Sequence, residues 1–483
     1  MNSTVKSVSG FALAVLLAST SLGAGAATFS PLVQQFVSVD TPLVAIAHVR
    51  VIDGTGASAR DDQTVVFSAG TIANIGPAGR TAIPTGATTV DGHGMTLLPG
   101  YVGTHNHLYY VSGASPDGLF VDREMPTSFP RMYLAAGVTT MRTTGSTEPY
   151  TDLNLRTLIE AGKTVGPHMD ITAPYLTGPT DVFVQMDVLK DAADARRTVD
   201  YWADHGATSF KAYTDITHDE LAAAIDEVHK RGLKITGHLC SVGFKEAAEL
   251  GIDSLEHGLF VDTEFVDMKK EDMCPSTPAT RKAMLETPID GPAIRGTIDT
   301  LVKHHVGLSS TLAIFESFGA RPLSERSLAM LDSESRTEVM ASHTRAAASK
   351  TAGDTEALLK KEMAFERAFV RAGGLLTTGP DPTGFGGVIA GFGDQRGLEL
   401  LVEAGFTPLE AIRVATRNGA ELLGKLDRIG TLQTGKAADA ILVRGNPTAR
   451  IADVENVVTT FRDGVGFDSV KLIESVRGTV GRR

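Results

Sequence analysis

From Leu43 to about Thr96 the apolar residues fall in short runs: Val44-Ala45-Ile46-Ala47, Val49-Arg50-Val51-Ile52, Thr64-Val65-Val66-Phe67 and Thr71-Ile72-Ala73-Asn74-Ile75. Asp53-Gly54, Ala69-Gly70 and Gly76-Pro77 interrupt them, so the segment reads as short β-strands joined by turns. The same texture returns near the carboxyl end in Ala438-Asp439-Ala440-Ile441-Leu442-Val443 and Val457-Val458-Thr459-Thr460-Phe461. The pattern predicts a small β-sandwich assembled from both ends of the chain around a different middle.

That middle alternates strand-like runs with helix-period segments, the signature of βα units on a parallel sheet. Strands are predicted over residues 96–102, 137–141, 169–172, 208–213, 234–238, 252–257, 306–311 and 374–379. Helical periodicity separates several of them and is clear over 219–231 and 243–250. Eight strands with crossovers fit a (β/α)8 TIM-like barrel better than a doubly wound sheet. The expected fold is therefore α/β, with a barrel over 99–424 and a β-sandwich built from 27–98 and 425–483. Residues 318–361, charged and helix-prone, read as an insertion after the seventh strand, either a lid or a homo-oligomer contact.

The amino terminus departs from both textures. Lys6 precedes an apolar stretch from Gly10 to Ala18, and small residues end in Ala24-Gly25-Ala26. A charge, an apolar core and an A-x-A site in that order form a secretory signal, here residues 1–26, cleaved after Ala26. The alternative, an uncleaved anchor, needs a longer apolar core to span a bilayer. The expectation is an exported protein, periplasmic or secreted, with no membrane attachment after cleavage.

Of 483 residues 42% are apolar and 21% charged, which excludes a disordered chain and a coiled coil. Acidic residues outnumber basic ones by 57 to 45, and a net charge of −12 opposes nucleic-acid binding. Two cysteines cannot make a disulfide framework, although Cys240 and Cys274 could pair after export.

Candidate chemistry gathers at predicted strand ends, where a barrel of this kind carries its reactive groups. His105 and His107 follow the first strand, and a two-residue spacing in extended chain turns both imidazoles to one side. His238 ends the fifth strand and His257 the sixth, while Asp381 follows the eighth in Thr378-Gly379-Pro380-Asp381. Four imidazoles and a carboxylate at one mouth make a metal site of zinc-like character. Lys211 ends the fourth strand, on the same face as Tyr213. A lysine in that position is costly unless it is paired, deprotonated or modified. Reaction of its amine with CO2 would give a carbamate, an anionic ligand able to bridge two cations and suited to two-metal water activation.

Taken with these positions, the chain resembles the amidohydrolase superfamily of metal-dependent hydrolases, within it the imidazolonepropionase-like and Xaa-Pro-dipeptidase-like branch. The resemblance runs over nearly all of the sequence after the signal. It rests on Val51-Ile52-Asp53-Gly54-Thr55-Gly56, on the run from Leu97 to His107, on Gly251-Ile252-Asp253-Ser254-Leu255-Glu256-His257-Gly258 and on the closing run from Gly430 to Asp439. It implies that His105, His107 and Asp381 hold one divalent metal, that His238 and His257 hold a second, and that carboxylated Lys211 bridges them. A bridging hydroxide would then attack the scissile carbonyl. Asp381 would take its proton and pass it to the leaving amine, and Tyr213 would assist carbonyl polarisation or anchor a substrate carboxylate. The chain departs from some relatives at Arg142, which is followed by Thr143-Thr144-Gly145 without an acidic residue, and in the Pro380-Asp381-Pro382 setting of the last ligand.

The function this implies is cleavage of an amide in a small molecule or short peptide, of dipeptide or N-acyl amino acid type, with two Zn2+-like ions. A one-metal deaminase or cyclic amide or lactone hydrolase of the same superfamily is the alternative, and an inactive exported metal- or ligand-binding protein is the other. Tyr109, Tyr110, Phe385 and Phe392 flank the motif loops and are candidates for an apolar pocket. His93, His168, His205, His218, His229, His304 and His305 read as structural, and Gly430 to Lys436 matches a phosphate-binding loop by chance, since a strand follows it and no helix does.

Overall fold

Eight short strands carry the middle of the chain: β1 Tyr101–Gly103, β2 Val138–Arg142, β3 His168–Asp170, β4 Ser209–Ala212, β5 Lys234–Gly237, β6 Ser254–Glu256, β7 Gly307–Ser310 and β8 Leu376–Thr378. They belong to a computed structural model that describes residues 29–112, 120–179 and 183–481. The segment read as an export signal lies outside the described residues, and among these no helix is long and apolar enough to cross a membrane.

Strands β1 to β3 pair in parallel, as do β4 to β8. A parallel bridge between Thr172 and Ser209 joins β3 to β4, and the Thr104 N–H donates to the Thr378 carbonyl at 3.0 Å, joining β1 to β8. The eight strands thus follow one another round a ring, the (β/α)8 arrangement. Helices cross over between successive strands. One of them, His218–Lys230, shows why its sequence is helical: Thr217 and Glu220 form a reciprocal cap, and Leu221, Ala224, Ile225 and Val228 are buried on one face.

Strands from both ends of the chain form a separate nine-stranded sheet, in which Ala440–Arg444 lies between Met95–Pro99 and Val457–Arg462. Its inward residues, among them Ile46, Val65, Phe67, Leu442 and Phe461, make one apolar cluster. The run 96–102, expected as a single barrel strand, divides here. Met95–Pro99 joins the terminal sheet, and the chain enters the barrel only at Tyr101. Gly100 is the break: a Cβ there would stand 2.0 Å from the Thr139 hydroxyl, so only glycine permits that approach of β1 to β2.

The charged insertion folds as helices that include Ser333–Ala347 and the start of Ala352–Arg371. Glu366 on the latter helix is fully buried. Burial pushes its carboxyl up to about 8, against a smaller pull from Ser310. The folded chain therefore keeps a proton that the unfolded chain has already released, and stability is lost as pH rises from the ordinary carboxyl range towards 8. Thermal melts of metal-free protein should show this loss between pH 5 and pH 8.5, and Glu366→Gln should reduce it by roughly 2–4 kcal/mol. An equal loss in the variant would contradict the assignment.

Candidate active site

Each nominated side chain leaves the carboxyl end of a barrel strand or the turn after it. His105 and His107 follow β1, Lys211 lies in β4, His238 and His257 come directly after β5 and β6, and Asp381 follows β8. His107 Nε2 and His105 Nε2 stand 3.2 and 3.7 Å from Asp381 Oδ1, and the ligand atoms of these three residues lie within 4.8 Å of one another. The His257 ring centroid is 4.5 Å from that of His105 and 4.3 Å from that of His238. Lys211 Nζ meets His105 Nε2 at 3.5 Å, and the Tyr213 ring is 5.0 Å from His238. All seven nominated residues therefore share one mouth.

The backbone is bent to achieve this. His257 and Asp381 adopt left-handed φ values of 71° and 52°, uncommon for residues with a side chain. The Asp381 N–H donates to the His105 carbonyl at 3.2 Å, which ties the Pro380-Asp381-Pro382 turn to the segment carrying two other ligands.

Beneath the ligands lies a charged pair whose role the sequence did not reveal. Glu256 Oε2 is 2.6 Å from His105 Nδ1, its other oxygen accepts from Arg142 Nη2 at 2.8 Å, and Thr236 donates to it as well. Both charged side chains are buried. Arg142 Nε also donates to the Thr104 carbonyl at 2.9 Å, so the arginine is held in place as it anchors the carboxylate that orients His105. His257 Nδ1 pairs with the Thr311 hydroxyl at 2.8 Å. Such outer partners fix the ring and leave the far nitrogen for a metal. A signal was present in Glu256, an acid inside a buried strand, but its partner could be read only from the fold.

The electrostatics suit a cation. Burial holds His107 down to about 4 and His238 down to about 3, and it also lowers His105 and His257, so all four imidazoles offer lone pairs at neutral pH. Burial alone would raise Asp381, yet the nearby His105 and His107 keep it well below the usual carboxylate range. Lys211, 1% exposed, is pushed down to about 8 by burial. Among the described residues no carboxylate stands within ion-pair distance of its amine. A donor set of imidazoles and one carboxylate, with a buried amine lacking a counter-ion, fits a divalent metal centre of nitrogen and oxygen ligands.

A cavity of about 550 Å3 opens onto His238, His257 and Asp381. The aromatic residues expected there, Tyr109, Tyr110, Phe385 and Phe392, do not line it; Phe260, Phe315 and Phe318 do. Tyr109 instead lies against the His107 ring at 4.7 Å and bonds the Tyr175 hydroxyl at 2.5 Å. The aromatics that face the cavity follow the sixth and seventh strands, Phe260 three residues past His257 and Phe315 five past Ser310, and not the first or eighth. Phe318 and Leu358 of the insertion are part of the cavity wall. Cys240, two residues past His238, is joined by a disulfide to Cys274, with a Cα separation of 5.1 Å, and this ties another wall segment to the ligand-bearing strand end.

Solved structures show the same architecture at low sequence identity. A Xaa-Pro dipeptidase with bound methionine matches with a TM-score of 0.66 and 20% identity, over 88% of this chain and 100% of that one. The ochratoxinase of A. niger gives 0.66 and 17%, over 91% and 100%. The bottromycin amidohydrolase gives 0.69 and 19%, over 94% and 97%. At such identities the likeness is one of fold. A search of curated proteins finds no match. The sequence model of the amidohydrolase family matches residues 96–465, which span the whole barrel and the strands that return to the terminal sheet. With that match the chain belongs to the amidohydrolase family, as a hydrolase acting on carbon–nitrogen bonds.

Proposed function

We propose that the protein is an exported binuclear metal amidohydrolase that cleaves an amide of dipeptide or N-acyl amino acid type. The observation that carries the reading is the buried Lys211 amine, with no carboxylate within ion-pair distance among the described residues, beside four neutral imidazoles and Asp381. As a carbamate, Lys211 would supply the missing negative charge and two oxygen donors. His105, His107 and Asp381 would hold one ion, His238 and His257 the other, and Lys211 both. Two zinc-type ions bound there would supply water activation and carbonyl polarisation. The chain's own residues do the rest. Asp381 Oδ1, kept ionised, accepts the proton of the attacking water and returns it to the leaving nitrogen. Tyr213 borders the site beside His238. Export is supported by the order of residues in 1–26 and by the Cys240–Cys274 disulfide, which an oxidising compartment sustains.

The test is metal analysis joined to mass spectrometry of the intact protein under gentle conditions. Two ions per chain and a carbamate mass on Lys211 are expected, with amide hydrolysis lost on chelation and regained on adding Zn2+. One ion with an unmodified Lys211 would favour a one-metal hydrolase of the same family. No metal-dependent turnover of amides, esters or lactones would favour a binding protein.

A further inference from the structure

The cavity before the ligands is walled chiefly by apolar side chains, Phe260 and Phe315 among them, stacked with ring centroids 3.8 Å apart. Among the described residues that line it two carry a formal charge, Asp381 among the ligands and Arg281 on the helix Thr277–Glu286. Arg281 is not exposed, and its Nη1 is buried without a hydrogen-bond partner. Among the described residues no acid pairs with it. This contrasts with Arg321 and Arg396, which are engaged by several glutamates.

Buried polar atoms in native proteins are nearly always satisfied, and Nη1 of Arg281 is an exception. Its planar fork matches a carboxylate. The position is also held rigidly. The Cys240–Cys274 disulfide fixes the chain just before the helix, and Lys361 of the helix Ala352–Arg371 donates to the Leu285 carbonyl at 3.2 Å near its other end. In a protein of net charge −12, a local cation is what would draw an anionic ligand into an apolar pocket.

We infer that Arg281 is the anchor for a carboxylate on the substrate, and that the enzyme therefore selects amides bearing a free carboxylate on an apolar body over their neutral counterparts. This inference rests on the amidohydrolase reading above. Arg281 binds and orients; it takes no part in bond breaking.

Calorimetric titration of the metal-loaded protein with 3-phenylpropanoate and with 3-phenylpropanol tests it without turnover. The wild type should bind the acid roughly 10- to 100-fold more tightly than the alcohol. Arg281→Met should bring the two together while leaving affinity for the alcohol within about twofold. Arg281→Lys, which keeps the charge without the fork, should retain part of the preference and covers the case in which the methionine variant does not fold. A wild type that binds neither probe or does not discriminate, or an Arg281→Met variant that keeps the preference, would overturn the inference. Release of acetate from N-acetyl-L-phenylalanine, followed on the same preparations, separates the two claims. Turnover without discrimination leaves the hydrolase reading and removes Arg281. Discrimination without turnover of any carboxylate-bearing amide does the reverse.

Discussion

Asp381→Asn should lower kcat/KM for amide hydrolysis by about 10³-fold or more while leaving the fold intact. The carboxylate stands 3.2 Å from His107 Nε2 and 3.7 Å from His105 Nε2, close enough to share one ion with them and to meet the water that attacks. Asparagine preserves volume and one carbonyl oxygen but cannot accept and return a proton at neutral pH. The left-handed turn at this position tolerates asparagine well, so the backbone of 380–382 should survive the exchange. On the proposed mechanism the loss should fall chiefly on kcat, because Asp381 would act on the reacting water while Arg281 would hold the remote end of the substrate. An unchanged thermal midpoint with retained binding of 3-phenylpropanoate would show that the protein is folded. Activity within tenfold of the wild type would remove Asp381 from the chemistry.

Glu256→Gln should be the most damaging conservative change away from the ligands themselves. Burial alone would push the Glu256 carboxyl up, but His105 and Arg142 pull it down to about 2, so it is a full negative charge inside the barrel. Glutamine leaves Arg142 as a buried cation without its partner, which costs about 3–5 kcal/mol in comparable buried pairs. It also loosens the ring of His105, and outer partners of metal-bound histidines are worth roughly 10- to 100-fold in metal affinity. The variant should therefore melt earlier and load metal more weakly, with activity falling in proportion to metal content. Chemical denaturation of metal-free protein isolates the stability effect, and competition with a chelator isolates the affinity effect. A variant equal to the wild type in both measurements would mean that the triad of Arg142, Glu256 and His105 neither stabilises nor orients anything.

These two residues differ in how visible they were beforehand. Asp381 could be nominated because it follows an apolar run that reads as a strand, and strand ends in a barrel converge by geometry. The spacing of His105 and His107 worked in the same way. Arg142 and Glu256 also sit at strand ends, yet nothing local says that two opposite charges 114 residues apart are in contact. The run 96–102 shows the complementary failure. Its apolar character is continuous, so the sequence offers no sign that residues 95–99 pair with Ala440–Arg444 while 101–103 pair with β2. Only the close approach at Gly100 divides it. The aromatic residues beside the motifs misled for a related reason. Proximity along the chain places a side chain near a strand end, and Phe260 and Phe315 do face the cavity from such places, but Arg281, Met284, Phe318 and Leu358 reach it from segments whose docking is a long-range matter.

By itself, then, the order of residues determined the alternation of strand and helix, the barrel class, the list of side chains at the strand ends and the terminal β-strands, because each depends on periodicity or spacing within a short stretch. The tertiary structure alone decided which buried charges meet beneath the ligands, that Cys240 lies against Cys274, and that Arg281 stands in the cavity with no ion-pair partner among the described residues. Those relations depend on how separate segments pack, and packing is set by the whole core at once and by no single run of residues.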